Sequence, residues 1–129
     1  MKCFAAHCLY LGQGELLTNQ VVCFDEKGCI TSIQPLKEEI PSTIFLNGLL
    51  CAAFSLPGSK EVLSVGEAVA LLGRVRDLDP LLQVTAVLES YTGDSELKVG
   101  SAHVLWCIDP IDLKKLLLLH ETSVYSVFP

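Results

Sequence analysis

The fold is decided by the stretch Val21–Phe54, which reads VVCFDEKGCITSIQPLKEEIPSTIFLNGLLCAAF. Two apolar runs in it flank the polar turn Asp25–Gly28. An Asp that opens such a turn accepts backbone N–H bonds, and a Gly that closes it takes up the left-handed conformation of a bulged hairpin. The stretch therefore predicts a β-hairpin with strands Gln20–Phe24 and Cys29–Gln34.

The end of the same stretch carries Asn47-Gly48, a dipeptide typical of tight turns. This dipeptide predicts two short strands, Thr43–Leu46 and Leu49–Ala53. Before the hairpin, Lys2–Leu11 is apolar with bulky anchors and predicts the first strand. Gly12-Gln13-Gly14 follows as a turn, since no third glycine and no helix make it a phosphate-binding loop.

A helical pair is predicted after this β region. Ser64 and Glu67 have the spacing of a capping box, and apolar residues follow them at helical spacing: Val65, Ala68, Val69, Leu72 and Val75. Asp79-Pro80 predicts the start of a second helix, with Asp as the N-cap and Pro at the first helical position. Its apolar stripe is Leu81, Val84, Val87, Leu88 and Tyr91, and Gly93 ends it.

Strand character then returns. His103–Ile108 predicts a strand that Asp109-Pro110 interrupts, and Val124–Phe128 predicts a last strand. Between them, Leu113–His120 is compatible with a short helix, but a turn followed by a strand at Leu116–Leu119 is favoured.

This order predicts one α+β domain over residues 1–129, with N-terminal strands in 1–54, a helical pair in 61–92 and C-terminal strands in 93–129. We expect the N- and C-terminal strands to share one small β-sandwich, and the helical pair to be inserted as a cover. Because most connections between strands are short, most pairings should be antiparallel.

Composition limits the classes of function. Half of the 129 residues are hydrophobic and 19% are charged, which excludes a disordered chain. The net charge of −6 argues against nucleic-acid and anionic-membrane partners, and no apolar run reaches the ~20 residues of a membrane span. The high apolar content leaves two possibilities: the chain buries its apolar surface efficiently, or it keeps an apolar face for a protein partner or a second copy of the chain.

Six cysteines leave two interpretations: Cys3, Cys8, Cys23, Cys29, Cys51 and Cys107. Three disulfides would suit a secreted protein. Five of the six lie in apolar strand-like runs, however, and the core is large enough without cross-links. The sequence therefore favours buried free thiols in a reducing cytoplasm.

No candidate catalytic, cofactor-binding or metal-binding residue stands out. The three imidazoles are His7, His103 and His120, and no Cys-x-x-Cys or His-x-His occurs. His7 and Cys8 are neighbours on a strand and therefore point to opposite faces, while strand geometry separates His103 from Cys107 by roughly 13 Å. The acidic pairs, Asp25 with Glu26 and Asp94 with Glu96, lie in predicted turns, where they cap backbone or remain solvated.

Three features carry a resemblance to a known family. Asp25, Gly28 and Ile30 form Asp-x-x-Gly-x-Ile, and Asn47–Phe54 follows the pattern Asn-Gly-Leu-Leu-x-Pro-Gly-Phe except at the Pro-Gly. A helix, the turn Thr92–Gly100 and a strand follow in that order. In these features the chain resembles both ends of amidohydrolase superfamily enzymes, metal-dependent hydrolases that include cytosine and guanine deaminases.

The resemblance implies the composite β-sandwich domain that flanks the catalytic barrel of those enzymes. The barrel itself needs about 200 residues or more, and the His-x-His pair of metal ligands has no counterpart in Ser55–Lys60. No catalytic or metal residue of the family is carried over, so a non-catalytic protein is expected.

Three roles remain open on this basis: an oligomerisation or interaction module, a subunit or regulator of a separately encoded hydrolase, and an inert remnant. The intact turn and helix signals argue mildly against a remnant.

Overall fold

A computed structural model describes residues 2–36, 43–92, 96–101 and 104–128. Six strands and two helices follow one another along the chain: β1 (Lys2–Gly12), β2 (Glu15–Phe24), β3 (Ile30–Pro35), β4 (Thr43–Ala52), α1 (Val65–Leu78), α2 (Val84–Thr92), β5 (Leu105–Asp112) and β6 (Leu117–Phe128). The fold is α+β. Of the predicted elements, Gly93, Asp94 and His103 lie outside the described residues.

All six strands belong to one mixed sheet, in the order β3-β2-β1-β4-β5-β6. β1 and β4 run parallel, and the other four pairings are antiparallel. The pairing of β4 with β5 joins the N-terminal strands to the C-terminal ones. The N- and C-terminal strands therefore share a sheet in which most pairings are antiparallel, as predicted, but the described strands form this single sheet and not the two packed sheets of the predicted β-sandwich.

Buried apolar side chains lie on both faces of the sheet. Consecutive residues of β4 alternate between two core clusters, with Leu49 and Cys51 in the first and Leu50 and Ala52 in the second. The buried residues of α1 and α2 belong to the first cluster, together with the tryptophan: Ala68, Leu71, Leu72, Val84, Val87, Leu88 and Trp106. The helical pair therefore covers one face of the sheet, as the sequence predicted.

The hairpin of β2 and β3 confirms the prediction made from Asp25–Gly28. The Asp25 carboxylate accepts hydrogen bonds from the backbone N–H groups of Lys27 at 2.8 Å and Cys29 at 3.0 Å. Gly28 has φ +83°, and the register of the two strands shifts next to the turn. Local side-chain chemistry therefore determines this connection.

The prediction of a turn at Asn47-Gly48 is wrong, because β4 continues through this dipeptide. Ala6 pairs with Leu46 and Cys8 pairs with Leu49, so that His7 alone opposes Asn47 and Gly48. The extra residue forms a β-bulge. Pairing with β1 keeps the strand continuous, so Asn47 and Gly48 form a bulge instead of a tight turn.

The capping box at the start of α1 is present as predicted. The Ser64 hydroxyl accepts from the Glu67 N–H at 3.1 Å, and the Glu67 carboxylate accepts from the Ser64 N–H at 3.0 Å. Both orphan donors at this helix end are therefore satisfied.

The predicted start of the second helix at Asp79-Pro80 is wrong. Asp79 instead ends α1, and its carboxylate accepts from the Leu81 N–H at 3.3 Å in the turn that follows. The Val84 N–H donates to the Leu116 carbonyl at 2.7 Å, and Gln83 forms a bridge with Leu117. Residues 79–82 therefore form a turn, contacts with the β5–β6 connection hold Gln83 in a β-bridge, and α2 begins only at Val84.

Two predictions concerned the C-terminal strands. The predicted break at Asp109-Pro110 is wrong, because β5 continues to Asp112 across an irregularity in its register with β6. Proline is tolerated there because such irregularities lack a regular ladder hydrogen bond. The turn favoured before Leu116–Leu119 is confirmed, since the Asp112 carboxylate accepts from the N–H groups of Lys114 at 3.0 Å and Lys115 at 2.9 Å. The strands predicted separately at Leu116–Leu119 and Val124–Phe128 are one continuous strand, β6.

Candidate functional site

The most distinctive surface feature is the first half of β4, residues Thr43–Asn47, which we call the open edge. On one side it pairs with β1, where Phe4 opposes Ile44 and Ala5 opposes Phe45. On the other side β5 pairs with β4 only from Leu49 onward. Within the described part of the chain, no other strand pairs with the open edge, although it lies in the middle of the strand order.

The open edge is apolar on both of its faces. Ile44 is 48% exposed and Phe45 is 55% exposed. Adjacent residues of a strand point to opposite faces, so these two side chains extend to either side of the sheet. The segment carries no charged residue. With no described strand paired on its outer side, these features are typical of a strand that can accept another strand.

The bulge at Gly48 separates the open edge from the paired half of β4. Gly48 has φ +93°, and a Cβ there would overlap the carbonyl oxygen of Ile108 and lie 2.9 Å from the Asp109 Cβ. Only glycine allows β5 to approach so closely. Beyond this contact the pairing of β4 with β5 ends, and the edge opens.

Cys107 ties the bulge to β5. Its thiol donates to the Asn47 carbonyl at 3.1 Å, and the residue is fully buried. Burial raises the pKa of the Cys107 thiol, although a hydrogen bond with Tyr125 opposes this shift. Burial also raises the pKa of the Tyr125 hydroxyl. A buried, protonated thiol is a poor nucleophile, so Cys107 has a structural role here.

Cys3 and Cys23 form a disulfide, so the prediction of free thiols is wrong for this pair. The register of β1 and β2 places the two residues directly opposite each other, with their Cα atoms 4.0 Å apart. Cys3 also pairs with Thr43 on its other side. The disulfide therefore lies on the rung where the open edge begins.

The other four cysteines are free. Cys8, Cys51 and Cys107 are buried, as predicted, and Cys29 is half-buried. Burial raises the pKa of Cys8 and, together with the nearby Cys107, that of Cys51. Such thiols pack as small apolar side chains.

The structure does not bring the predicted histidines and carboxylates together. His7 is exposed and Cys8 is buried, which confirms that they point to opposite faces. His120, Glu26 and Glu96 are exposed, whereas His103 and Asp94 lie outside the described residues. Among the residues described, no group of three or more His, Cys, Asp or Glu side chains is placed to hold a metal ion.

A surface hollow of about 500 Å³ lies along the loop 55–62, with Ser90 and Thr92 at its wall. Thr92 is its buried polar residue, and the Thr92 hydroxyl already donates to the Leu88 carbonyl at 2.6 Å. The one buried hydroxyl of the described lining is therefore already engaged, and the other polar residues of the hollow, Ser55, Ser59, Lys60 and Ser90, lie on its surface.

Sequence reasoning missed both the open edge and the disulfide beside it. The sequence predicts Thr43–Leu46 only as a short strand and gives no burial for it. The sequence feature that could have pointed to the open edge is an apolar segment without charged residues next to Asn47-Gly48. This feature does not establish exposure, because exposure depends on which strands pair with the segment.

No family model, curated protein or solved structure matches this chain. Nothing in these comparisons links it to the amidohydrolase superfamily. In the part of the chain that the structure describes, no helix combines the length and the apolar character that a membrane crossing requires.

Proposed function

We propose that this chain is a non-catalytic interaction module that self-associates through the open edge. The observation that carries the proposal is the pair of exposed apolar side chains, Ile44 and Phe45, on a strand segment whose outer side no described strand occupies. Exposed apolar strand edges of this kind pair with strands of other chains unless they are protected.

A second copy of the chain is the occupant that we propose, because charge repulsion between two copies is weakest at the open edge. The protein carries a net charge of −6, which repels another copy over most of its surface. The open edge has no charged residue, so two copies can approach each other there without repulsion between charged side chains of this segment. Two identical segments can pair antiparallel about a two-fold axis, which is the isologous geometry of most dimers.

The five residues of the open edge are too short to form a stable dimer by themselves. Specific interfaces bury about 1,200–2,000 Å² in total, so the strands around the open edge would complete the contact. A similarity of the fold to the composite domain of metal-dependent hydrolases belongs to this proposal, as does a cytoplasmic location.

The test is the mass of the purified protein in solution, measured by light scattering and sedimentation velocity over a range of concentrations. We expect a dimer of the wild type, twice the 14.0 kDa of one chain. Phe45→Lys places a charge at the centre of the open edge and should shift the protein to a monomer. Its Trp106 fluorescence should remain that of a folded protein.

Leu78→Lys is the matched control, because Leu78 is 86% exposed at the end of α1, outside the open edge. This variant should remain dimeric. A wild type that stays monomeric at every concentration, or a dimer that only Leu78→Lys dissociates, would contradict the proposal.

The same measurement on a tagged chain isolated from its own cells tests the alternative roles. A second polypeptide of hydrolase size in the assembly would make the chain a subunit or regulator of that enzyme. A monomer without any partner would leave the interpretation as an inert remnant.

A further inference from the structure

We infer that Cys3 and Cys23 form a reversible redox switch that controls docking at the open edge. The inference rests on the proposed function and names its regulation. Oxidation joins the two cysteines and holds the edge in its docking conformation, whereas reduction releases it.

The position of the pair supports this role. Cys23, Cys3 and Thr43 lie side by side on one rung across β2, β1 and β4. Residues that pair directly across strands lie on the same face of the sheet. The covalent link therefore lies one strand away from the first residue of the open edge.

The support of the open edge explains why this link matters. Among the described strands, only β1 pairs with Thr43–Leu46, and it does so through Cys3–Ala6. β2 in turn supports these β1 residues. A disulfide between β1 and β2 restricts the motion of β1, and therefore of the edge that β1 carries. A restrained strand loses less conformational entropy when it docks.

The hydroxyl of Thr43 adds a second observation on the same rung. Its oxygen is buried and has no hydrogen-bond partner among the described residues. Among the described residues, Thr43 is therefore held by its pairing with β1 and not by its side chain.

The pair is accessible to thiol exchange from one side. Cys3 is half-buried, whereas Cys23 is 4% exposed.

The Cys3 thiolate attacks one sulfur of a small-molecule disulfide such as oxidised glutathione and expels one thiolate. The Cys23 thiolate then attacks the Cys3 sulfur of the mixed disulfide and expels the second. One S–S bond forms and one breaks, so two electrons pass from the cysteines to the small molecule. The two expelled thiolates take up the protons that Cys3 and Cys23 release.

The experiment compares protein equilibrated with oxidised glutathione and protein reduced with dithiothreitol. Thiol titration of the denatured protein should give four free thiols in the first sample, as the structure shows, and all six in the second. We expect reduction to accelerate amide hydrogen exchange at Thr43–Leu46 at least tenfold and to weaken dimerisation about tenfold. The double variant Cys3→Ser/Cys23→Ser should behave as the reduced protein in both buffers.

Cys29→Ser is the control, since Cys29 is a half-buried free thiol away from the rung. This variant should respond to the two buffers as the wild type does. A dimer whose dissociation constant and edge exchange are equal in both buffers overturns the switch and leaves the proposed function standing. Oxidised protein with six free thiols would likewise overturn the switch and leave the proposed function standing. If both forms are monomeric while edge exchange still differs, redox control of the open edge stands, and the proposed self-association fails together with the control of docking.

Discussion

At the scale of single residues, Gly48 determines where β4 and β5 separate. We expect Gly48→Ala to destabilise the protein by about 2 kcal/mol or more. An alanine must adopt a positive φ and also displace the carbonyl of Ile108. Urea unfolding followed by Trp106 fluorescence measures the change.

Gly58→Ala is the control for this prediction. Gly58 has a similar φ of +82°, but nothing lies within 4 Å of the Cβ position. The free energy of unfolding of this variant should fall by about 1–2 kcal/mol, which is the cost of placing alanine at a positive φ. Equal losses in the two variants would show that the close approach of β5 does not constrain Gly48.

A third glycine, in α1, tests a substitution that should stabilise the protein. Gly73 lies in the middle of α1, and a Cβ there meets no atom within 4 Å. Gly73→Ala should stabilise the protein by about 0.5–1 kcal/mol, because alanine loses less backbone entropy in a helix. An unchanged or lower urea midpoint would contradict this expectation.

At the scale of elements, the capping box determines where α1 begins. Ser64→Ala should destabilise the protein by about 1 kcal/mol, because the N–H of Glu67 loses its acceptor. Ser90→Ala removes a hydroxyl that donates to the Ala86 carbonyl within α2. This control should change the free energy of unfolding by less than about 0.5 kcal/mol.

The same capping box predicts a pH dependence. The hydrogen bond from the Ser64 backbone N–H, followed by that from its hydroxyl, lowers the pKa of Glu67. A lowered folded-state pKa stabilises the protein above the ordinary Glu pKa of about 4.3, and this stabilisation disappears as the pH falls through the lowered value. Wild type should therefore exceed Glu67→Gln in stability at pH 7, and the difference should vanish in acid. A difference that is independent of pH would contradict the expectation.

At the scale of the whole molecule, one core cluster joins the sheet to both helices. Phe54 is fully buried in it, with its ring centroid 5.4 Å from that of Trp106. Phe54→Ala should cost about 3–5 kcal/mol, which is a large share of the stability of a small domain. Thermal unfolding at low protein concentration measures the loss.

Phe45→Ala is the matched comparison, because Phe45 is 55% exposed on the open edge. In the monomer, its removal should change stability by less than about 0.5 kcal/mol. A large loss here would mean that Phe45 belongs to the core and not to a docking surface.

The sequence by itself determined the features that depend on neighbouring residues. The Asp25 turn, the capping box of α1 and the turn before β6 each rest on hydrogen bonds between residues no more than four positions apart. The alternation of strands and helices likewise predicted an α+β fold. Such signals can be interpreted from the sequence because all of the interacting atoms lie within a few residues of each other.

Only the tertiary structure decided the features that depend on pairing between distant segments. The parallel pairing of β1 with β4 turned the Asn47-Gly48 signal into a bulge and placed Cys3 between Cys23 and Thr43. The contact of Val84 with Leu116 moved the start of α2. The register between distant strands is set by the packing of the whole sheet, so it cannot be predicted from the residues of one short segment. The candidate site is a consequence of register, so the sequence did not predict it.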